Sequence, residues 1–445
     1  MKNADNPITG VITTDSIDYT FYLNDYTLLV LDNIVNSHRT SSLKSTDGFA
    51  QVMLHDGTKM LLHIGENNLT IVNKMRLHLA SYIMSTANIA DYDLSYFDGI
   101  EFIGGTLANL KRPMGINIEY ESENRRYVEY RDDEQNFDFK TDDWQCDVTI
   151  GSSTREQHGL TGSSITNSSI YFRMMFDRKQ KTSEVYVHYN KIRQLLSFLV
   201  NRQNVGFEKI YLLQKIENST FWNKVAEVNI QQEKELTTKT IYNNISFEMM
   251  DGSLGRLLNI FYSPIERKKS YSLGFHYEDD KSAGQIGSET VREVCSALEC
   301  ELGLIPKMMS DESTKIRALT RQLQQVINEH KKSKDKLRDK TYSLIESSMS
   351  HWTMSASDQI KLLFHMYQQE MWAIAKPGRQ CSDDGIDNFV KYRNDITHGS
   401  YRVMNPEVAY TTYLLACLVY CCVLTRIGVP RETILQWCKD KRLMN

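Results

Sequence analysis

Three polar residues near the end of one amphipathic segment have side chains suited to proton transfer and phosphate binding. Arg393, Asn394 and His398 lie within the stretch NFVKYRNDITHGSYRV, Asn388 to Val403. An imidazole exchanges protons near neutral pH, and a guanidinium binds phosphate oxygens in a bidentate manner. The segment therefore combines a proton shuttle and a binder of negative charge at a short spacing.

The pattern of this segment predicts a helix with Asp384 as N-cap and Gly399 just past its end. Arg393 falls in the middle of the apolar stripe, and Asn394 and His398 lie together on one flank. The stripe itself consists of Ile386, Phe389, Val390, Ile396 and Thr397. Because a buried guanidinium is costly unless it is paired, we expect Arg393 either to meet a carboxylate or to face a groove.

The spacing alone leaves a structural alternative open. A chain with 23 Arg and 11 His is expected to contain an Arg-x(4–6)-His match about once or twice by chance, and this chain contains one. In the alternative, Arg393 forms a salt bridge with Glu299 or Glu370 inside a helical bundle, and His398 only caps its helix.

The region before this segment predicts a β-rich domain over residues 1–277, built as a sandwich or a partly open barrel. FAQVMLHDGTKMLLHIG has two strand-like runs joined by Asp56-Gly57, which favours a type I′ hairpin. A helix is expected over 190–202, and the Ser/Thr/Gly-rich stretch 151–169 is expected to be a loop. Further strands are predicted at 26–31, 115–120, 125–130, 169–176 and 183–189, the last two joined by a polar loop of hairpin length.

After a linker at 278–288, the pattern becomes helical and predicts a bundle of five or six helices over 289–445. The overall fold class expected is α+β. The dense basic run HKKSKDKLRDK, residues 330–340, is interpreted as a solvated helix face. Residues 288–445 hold 22 Lys and Arg against 19 Asp and Glu, whereas residues 1–287 hold 30 against 37. The net charges of +3 and −7 make the helical region the better place for a polyanion.

One segment, Val408 to Thr425, has no charged residue. It is short for a bilayer span, so we expect it to be buried in protein, with one side packed across a two-fold axis. The eight cysteines have no zinc-ligand spacing and are expected to be reduced. Since MKNADNPITG contains no apolar signal region, we expect a cytoplasmic protein without membrane attachment.

The sequence RNDITHG, closing a helix directly before an apolar helix in a C-terminal bundle, resembles the HEPN superfamily of ribonucleases. Their signature is Arg-x(4–6)-His, usually with a polar residue after the Arg, and Arg393, Asn394 and His398 match it. The β-rich region, with YTLLVLDNI leading into FAQVMLHDGTKMLLHIG, resembles the N-terminal domain of ApeA-type HEPN proteins, which are bacterial anti-phage abortive-infection effectors.

The resemblance implies a toxin-like RNA endonuclease that needs no metal and no cofactor. In such families two protomers pair through the bundle, and both motifs converge in one cleft. His398 would transfer protons, and Arg393 would stabilise the phosphate. Asn394 would position the phosphate or the histidine. The products would be 2′,3′-cyclic phosphate and 5′-hydroxyl ends. Lys391, Tyr392 and Arg402 are predicted RNA contacts, and transfer RNA is one candidate substrate. A phage-derived trigger would act on the N-terminal domain.

Two other functions remain open. The helices could form a non-catalytic HEPN-like module that binds nucleotides or dimerises, or the β-rich region could be a ligand-binding domain that the helices only oligomerise. The chain has no P-loop, no G-x-G-x-x-G after a strand, no G-x-S-x-G and no H-E-x-x-H motif. The sequence therefore does not support the hypothesis of a kinase, a dehydrogenase, an esterase or a zinc protease.

Overall fold

The chain folds into two compact units, Met1–Ser263 and Pro264–Asn445. This division precedes the predicted linker at 278–288. The computed structural model describes residues 7–33, 40–65, 69–72, 74–86, 93–111, 116–122, 125–130, 134–159, 162–216, 219, 221–232, 236, 244–268, 274, 276–279, 281–282, 285–304, 311–350, 355–379, 381–400 and 403–443.

The first unit is dominated by an antiparallel sheet, which confirms the predicted α+β class with a β-rich N-terminal part. Thirteen of the described strands form one sheet in the order β13-β14-β15-β10-β16-β17-β9-β6-β5-β1-β2-β3-β8, and β11-β12 and β4-β7 form two small ribbons. The bounds are β1 Ile8–Thr14, β2 Ile17–Asn24, β3 Thr27–Asp32, β4 Thr40–Leu43, β5 Phe49–Leu54, β6 Lys59–His63, β7 Leu69–Val72, β8 Lys74–His78, β9 Ser81–Ser85, β10 Tyr96–Ile103, β11 Ile116–Ser122, β12 Arg125–Tyr130, β13 Gln135–Lys140, β14 Gln145–Gly159, β15 Gly162–Lys181, β16 Lys209–Lys215 and β17 Trp222–Ile230.

The hairpin predicted around Asp56-Gly57 is present, because β5 pairs with β6 in antiparallel register. Its turn is not type I′, which needs a positive φ at both central residues. Gly57 has a φ of +84°, whereas Asp56 is not among the residues with positive φ. The Gly57 N–H donates to Leu54 O at 3.0 Å, and the Leu54 N–H donates to Thr58 O at 2.8 Å. The loop is therefore one residue longer and ends on a left-handed glycine.

Two local predictions in the first unit are wrong. The stretch 151–169 is not a loop, because β14 and β15 run through it as one long hairpin. The segment 183–189 is not a strand, since a short 3-10 turn at Thr182–Glu184 leads into the first helix, α1, Val185–Val200. The aliphatic and aromatic residues of 185–189 suit either state. They become helical because Val185, His188 and Tyr189 lie on the same face as the later buried residues of α1.

The helix α1 and the second helix, α2, Leu254–Tyr262, pack against the part of the sheet near β13. His188 of α1 lies in an aromatic cluster with Tyr262 of α2. The rings of Phe97, Trp144 and Phe176, from β10, the β13–β14 turn and β15, complete this cluster. The helices thus cover one face of this part of the sheet with apolar side chains.

The second unit is helical. Its helices are α3 Pro264–Lys268, α4 Ser288–Leu304, α5 Asp311–His330, α6 Asp339–Ser350, α7 Ala356–Met366, α8 Gln368–Ile374, α9 Asp383–Thr397, α10 Pro406–Arg426 and α11 Arg431–Leu443. The basic run 330–340 is not a helix face, because residues 331–338 connect α5 and α6 in exposed turns. The dense lysines and Ser333 of this run disfavour a continuous helix, since like charges three and four residues apart repel.

The predicted apolar helix is α10, and it forms the centre of the unit, against α4, α8, α9 and α11. Residues 414–424 of α10 are all buried, and both Leu415 and Leu418 are 0% exposed. The expected exposed side for a two-fold contact is therefore absent over 414–424, because neighbouring helices cover this stretch all round. By length and composition α10 could cross a membrane, but 78% of its apolar window is buried inside the structure, as in the core helix of a soluble protein.

Candidate active site

The helix α9 carries the Arg-x4-His motif and begins two residues earlier than predicted. The N-cap is Ser382, whose hydroxyl accepts a hydrogen bond from the Gly385 N–H, so Asp384 lies in the first turn. Asp383 and Asp384 in the first turn favour the helix through its dipole. An ion pair and a hydrogen bond hold this end against α7: Lys361 pairs with Asp387 at 2.8 Å, and His365 Nε2 lies 3.1 Å from Asp383 Oδ1.

The C-terminal end of α9 fixes the position of His398. The Ser400 N–H donates to Asp395 O at 2.9 Å, and the Gly399 N–H donates to Ile396 O at 3.4 Å. Gly399 has a φ of +77°, the left-handed conformation that this helix ending requires. His398 is the C-cap residue, and its own N–H donates to Asn394 O at 3.0 Å. Gly399 therefore lies just past the helix end, as predicted, and sets the exposed imidazole on the last turn.

Arg393 lies beside the apolar stripe of α9 and not in its middle. The buried residues of this helix are Gly385, Ile386, Phe389, Tyr392 and Ile396. The Arg393 side chain is 29% exposed, and its Nη2 donates to Oε1 of Glu299 on α4 at 3.1 Å. Of the two carboxylates that the structural alternative named, Glu299 is thus the partner, whereas Glu370 pairs with Arg431.

Asn394 contacts the arginine directly. The Arg393 Nη1 donates to the Asn394 side-chain oxygen at 3.2 Å, so one guanidinium bridges an amide and a carboxylate. The His398 ring makes no hydrogen bond within the described part of the chain. The motif therefore presents an oriented guanidinium and an exposed imidazole on one helix end.

A second arginine, which the sequence did not single out, supports the same helix end. Arg292 of α4 donates from Nη2 to Ile396 O at 2.8 Å, two residues before His398. Arg292 and Glu299 are seven residues apart and share one face of α4, and that face contacts the last turns of α9. The spacing of Arg292 and Glu299, seven residues apart on one helix, is the sequence pattern that could have predicted a polar face of α4 toward α9.

The thiol of Cys295 lies under this cluster. It is 1% exposed, and its Sγ is 3.7 Å from Oε1 of Glu299. Burial and the negative charge of Glu299 raise the pKa of the Cys295 thiol to about 11, although the nearby Arg393 opposes the shift. The thiol is therefore neutral at physiological pH and acts as packing beneath the ion pair.

The predicted RNA contacts have different positions. Lys391 is exposed on α9, so its ammonium faces solvent. Tyr392 is 4% exposed and belongs to the buried stripe, so its ring packs inside the unit. Arg402 lies outside the described residues. Lys391 is thus the predicted RNA contact that the structure places at the surface.

The comparison with known families concerns the helical unit. Residues 303–433 match the family model described as Apea-like HEPN. The matched region lies within the helical unit, which is therefore similar to Apea-like HEPN domains. The match covers α9 with its Arg-x4-His motif, whereas Arg292 and Glu299 of α4 precede it. No curated protein and no solved structure is significantly similar to the chain.

HEPN domains are typically ribonucleases, so the domain points to a nuclease or an RNA-related role in anti-phage defence. The match lies entirely within the helical unit and does not include the sheet unit. The resemblance of the sheet unit to ApeA N-terminal domains therefore stays a prediction. Among the described residues, no three His, Cys, Asp or Glu side chains are grouped as metal ligands.

Proposed function

We propose that the protein is an RNA endonuclease of the HEPN type, acting in abortive infection against phage. The observation that supports this most is the arrangement of Arg393, Asn394 and His398 at one end of α9 within the matched domain. RNA carries its own nucleophile, the 2′-hydroxyl beside each phosphate. A base that takes the 2′-OH proton and a cation that binds the phosphate are sufficient chemistry for cleavage without a metal.

In the proposed reaction the neutral His398 imidazole takes the 2′-OH proton, and the 2′-oxygen forms a bond to phosphorus as the bond to the 5′-oxygen breaks. The leaving 5′-oxygen receives a proton from a protonated imidazole or from water. Arg393 neutralises the non-bridging oxygens, and the Asn394 amide holds the guanidinium in the orientation seen at 3.2 Å. The products are 2′,3′-cyclic phosphate and 5′-hydroxyl ends.

The test uses His398→Ala and Arg393→Ala in cells and on purified transfer RNA and total RNA, with RNA ends sequenced. Each substitution is expected to lower cleavage by about 100-fold or more. Lys391→Ala serves as a matched control on the exposed face of the same helix, with a modest effect expected on RNA affinity. Cleavage should persist in EDTA. Full activity of either variant at equal protein level, or loss of activity on chelation that a divalent ion restores, would refute the proposal.

We further propose that two copies pair to form a composite site. The residues 414–424 of α10 are covered within one chain, so the pairing surface would be formed by other helices. Mixing the Arg393→Ala and His398→Ala proteins tests this, because a mixed dimer keeps one Arg and one His. A fully active monomer by light scattering would exclude the composite site.

A second candidate function is supported by the Arg393–Glu299 ion pair. The pair joins α4 to α9, so Arg393 would serve as a structural link in a non-catalytic HEPN module. In that case Arg393→Ala and Glu299→Ala would lower stability by a similar small amount, and neither would change RNA ends. The cleavage assay and melting curves on the same preparations separate the two functions.

A further inference from the structure

The sheet unit has a groove of about 540 Å³ on the face of β2, β3 and β8 opposite its core. The register aligns the groove residues in two rows across these strands. Tyr22, Leu29 and Arg76 form one row. Asn24, Thr27 and His78 form the next row. The central strand β3 therefore provides the floor, and β2 and β8 provide the two walls.

The β8 wall is cationic. Lys74, Arg76 and His78 alternate along one face of this strand and are all exposed. Lys74 and Arg76 make no ion pair or hydrogen bond within the described residues, whereas His78 Nε2 lies 2.8 Å from Oε1 of Gln231. Asp25 is the one carboxylate among the described lining residues. Two cations without a partner among the described residues thus face a groove whose described lining has one carboxylate.

The β2 wall provides an aromatic ring. Tyr22 is 39% exposed and faces Arg76 across Leu29. Neighbouring strands are about 4.8 Å apart, so the two walls are separated by about 10 Å at this row. A planar base stacked on the Tyr22 ring above Leu29 leaves the Arg76 guanidinium on the opposite wall for the phosphates.

We propose that this groove binds a nucleoside diphosphate, with the base on Tyr22 and the phosphates on Lys74 and Arg76. The volume falls within the range of small-molecule pockets. Lys74 and Arg76 provide two cations for the phosphate oxygens, and Asn24 and Asp25 provide polar atoms for the sugar hydroxyls. An acidic peptide would instead use the backbone of β8, which ends the sheet order. The cations lie on the strand face beside Tyr22, which favours the nucleotide.

The test is calorimetric titration of the full-length protein with ADP, adenosine and pyrophosphate. ADP is expected to bind most tightly. Arg76→Gln should weaken ADP binding about tenfold or more, because a charge-assisted bidentate contact is lost. Tyr22→Leu should weaken it about fivefold or more, the lower end of what one stacked base contributes. Lys140→Gln on β13, the opposite edge of the sheet, is a matched control with no expected effect.

Lys74→Gln provides a second variant should Arg76→Gln melt at a lower temperature than the wild type. No ADP binding at millimolar concentration would overturn the proposal. Equal affinities for pyrophosphate and ADP would show an anion site that makes no contact with the base. Equal affinities for adenosine and ADP would show that the cations do not contribute to binding. Displacement of ADP by a hexaglutamate peptide at equal concentration would assign the groove to acidic peptides instead. Each of these results overturns the nucleotide assignment.

Discussion

Both units bury ionisable side chains, and two of these, Glu370 and His188, lie in opposite surroundings. Glu370 of α8 is 0% exposed, and its two carboxylate oxygens accept hydrogen bonds from Nε and Nη2 of Arg431 at 2.6 and 3.1 Å. His188 of α1 is 2% exposed, and its Nε2 has no hydrogen-bond partner within the described part of the chain. The Glu370 carboxylate is therefore paired with a cation in the interior, whereas burial favours the neutral form of the His188 ring.

This difference predicts that the stability around Glu370 is sensitive to mutation of its partner, whereas the stability around His188 is sensitive to pH. A paired buried charge makes stability depend on its partner, because a lone buried carboxylate loses its solvation without compensation. A buried neutral imidazole makes stability depend on pH, because at acidic pH the unfolded chain binds a proton on this ring and the folded chain does not. The exposed pair of Glu299 and Arg393 belongs to neither case, since water solvates both side chains.

The largest effect is expected from Arg431→Met, which leaves the buried Glu370 carboxylate without its partner. We expect the free energy of unfolding of the helical unit to fall by about 3–5 kcal/mol. Replacing both residues by Met should recover most of this loss, because the buried charge is then gone. Urea unfolding followed by tryptophan fluorescence measures each variant. A loss below about 1 kcal/mol in the single variant would show that the pair behaves like a surface pair.

A smaller effect is expected when the sheet unit is acidified. Burial in the aromatic cluster lowers the pKa of His188 from 6.5 to about 3. Between these two values the unfolded chain binds the extra proton, so stability is complete above pH 6.5 and falls as the pH drops toward 3. Moving from pH 7.5 to pH 5.0 should cost the sheet unit about 2 kcal/mol through this residue.

The His188→Gln variant tests this pH dependence. Its absolute stability is expected to be lower, but the slope of stability against pH from 5.0 to 6.5 should be flatter than in the wild type. His55→Gln is a matched control, because His55 is exposed. An unchanged slope in His188→Gln would assign the acid sensitivity to other groups.

The smallest change in stability is expected for Glu299→Gln, less than about 1 kcal/mol, because both partners of this pair are partly exposed. Its effect on RNA should be opposite in direction to that of Arg393→Ala. Without the carboxylate, the guanidinium is more available to phosphate, so RNA binding should tighten and become more salt-dependent. Filter-binding assays at two salt concentrations measure this. Weaker RNA binding in Glu299→Gln would mean that the ion pair orients Arg393 and does not compete with phosphate.

The sequence predicted the parts of the fold that local patterns determine. The alternating runs at Thr27–Asp32 and Arg125–Tyr130 are strands, and the hairpin around Gly57 forms. The pattern failed over 151–169, where strand pairing is set by a partner strand and not by residue preference. It also failed at 183–189, where one face of a longer helix outweighs a local strand preference.

For the candidate site, the sequence identified the motif residues and both possible carboxylates, but not their geometry. The choice of Glu299 over Glu370 depends on which helices are neighbours, a long-range property. Tyr392 is buried because the buried face of α9 includes Phe389, Tyr392 and Ile396 and not Val390 and Thr397, so Arg393 lies at the edge of this face. The coverage of α10 could not be read from its composition, because an all-apolar helix suits either a core or an interface.

The central position of α10 has a consequence for the protein during synthesis. Helix α4 ends at Leu304 and packs against α10, which begins only at Pro406. At about 5–20 residues per second, the ribosome needs roughly 5–20 seconds to deliver the intervening chain. Until then α4 lacks the apolar helix against which it packs, and α9 lacks the same helix from its own synthesis until α10 follows. The Arg-x4-His motif is complete at His398, about 28 residues before the end of α10 at Arg426, so the nascent chain carries the motif without its central packing helix for roughly 1–6 seconds at this rate. The scaffold that orients the motif forms only after translation has passed Arg426.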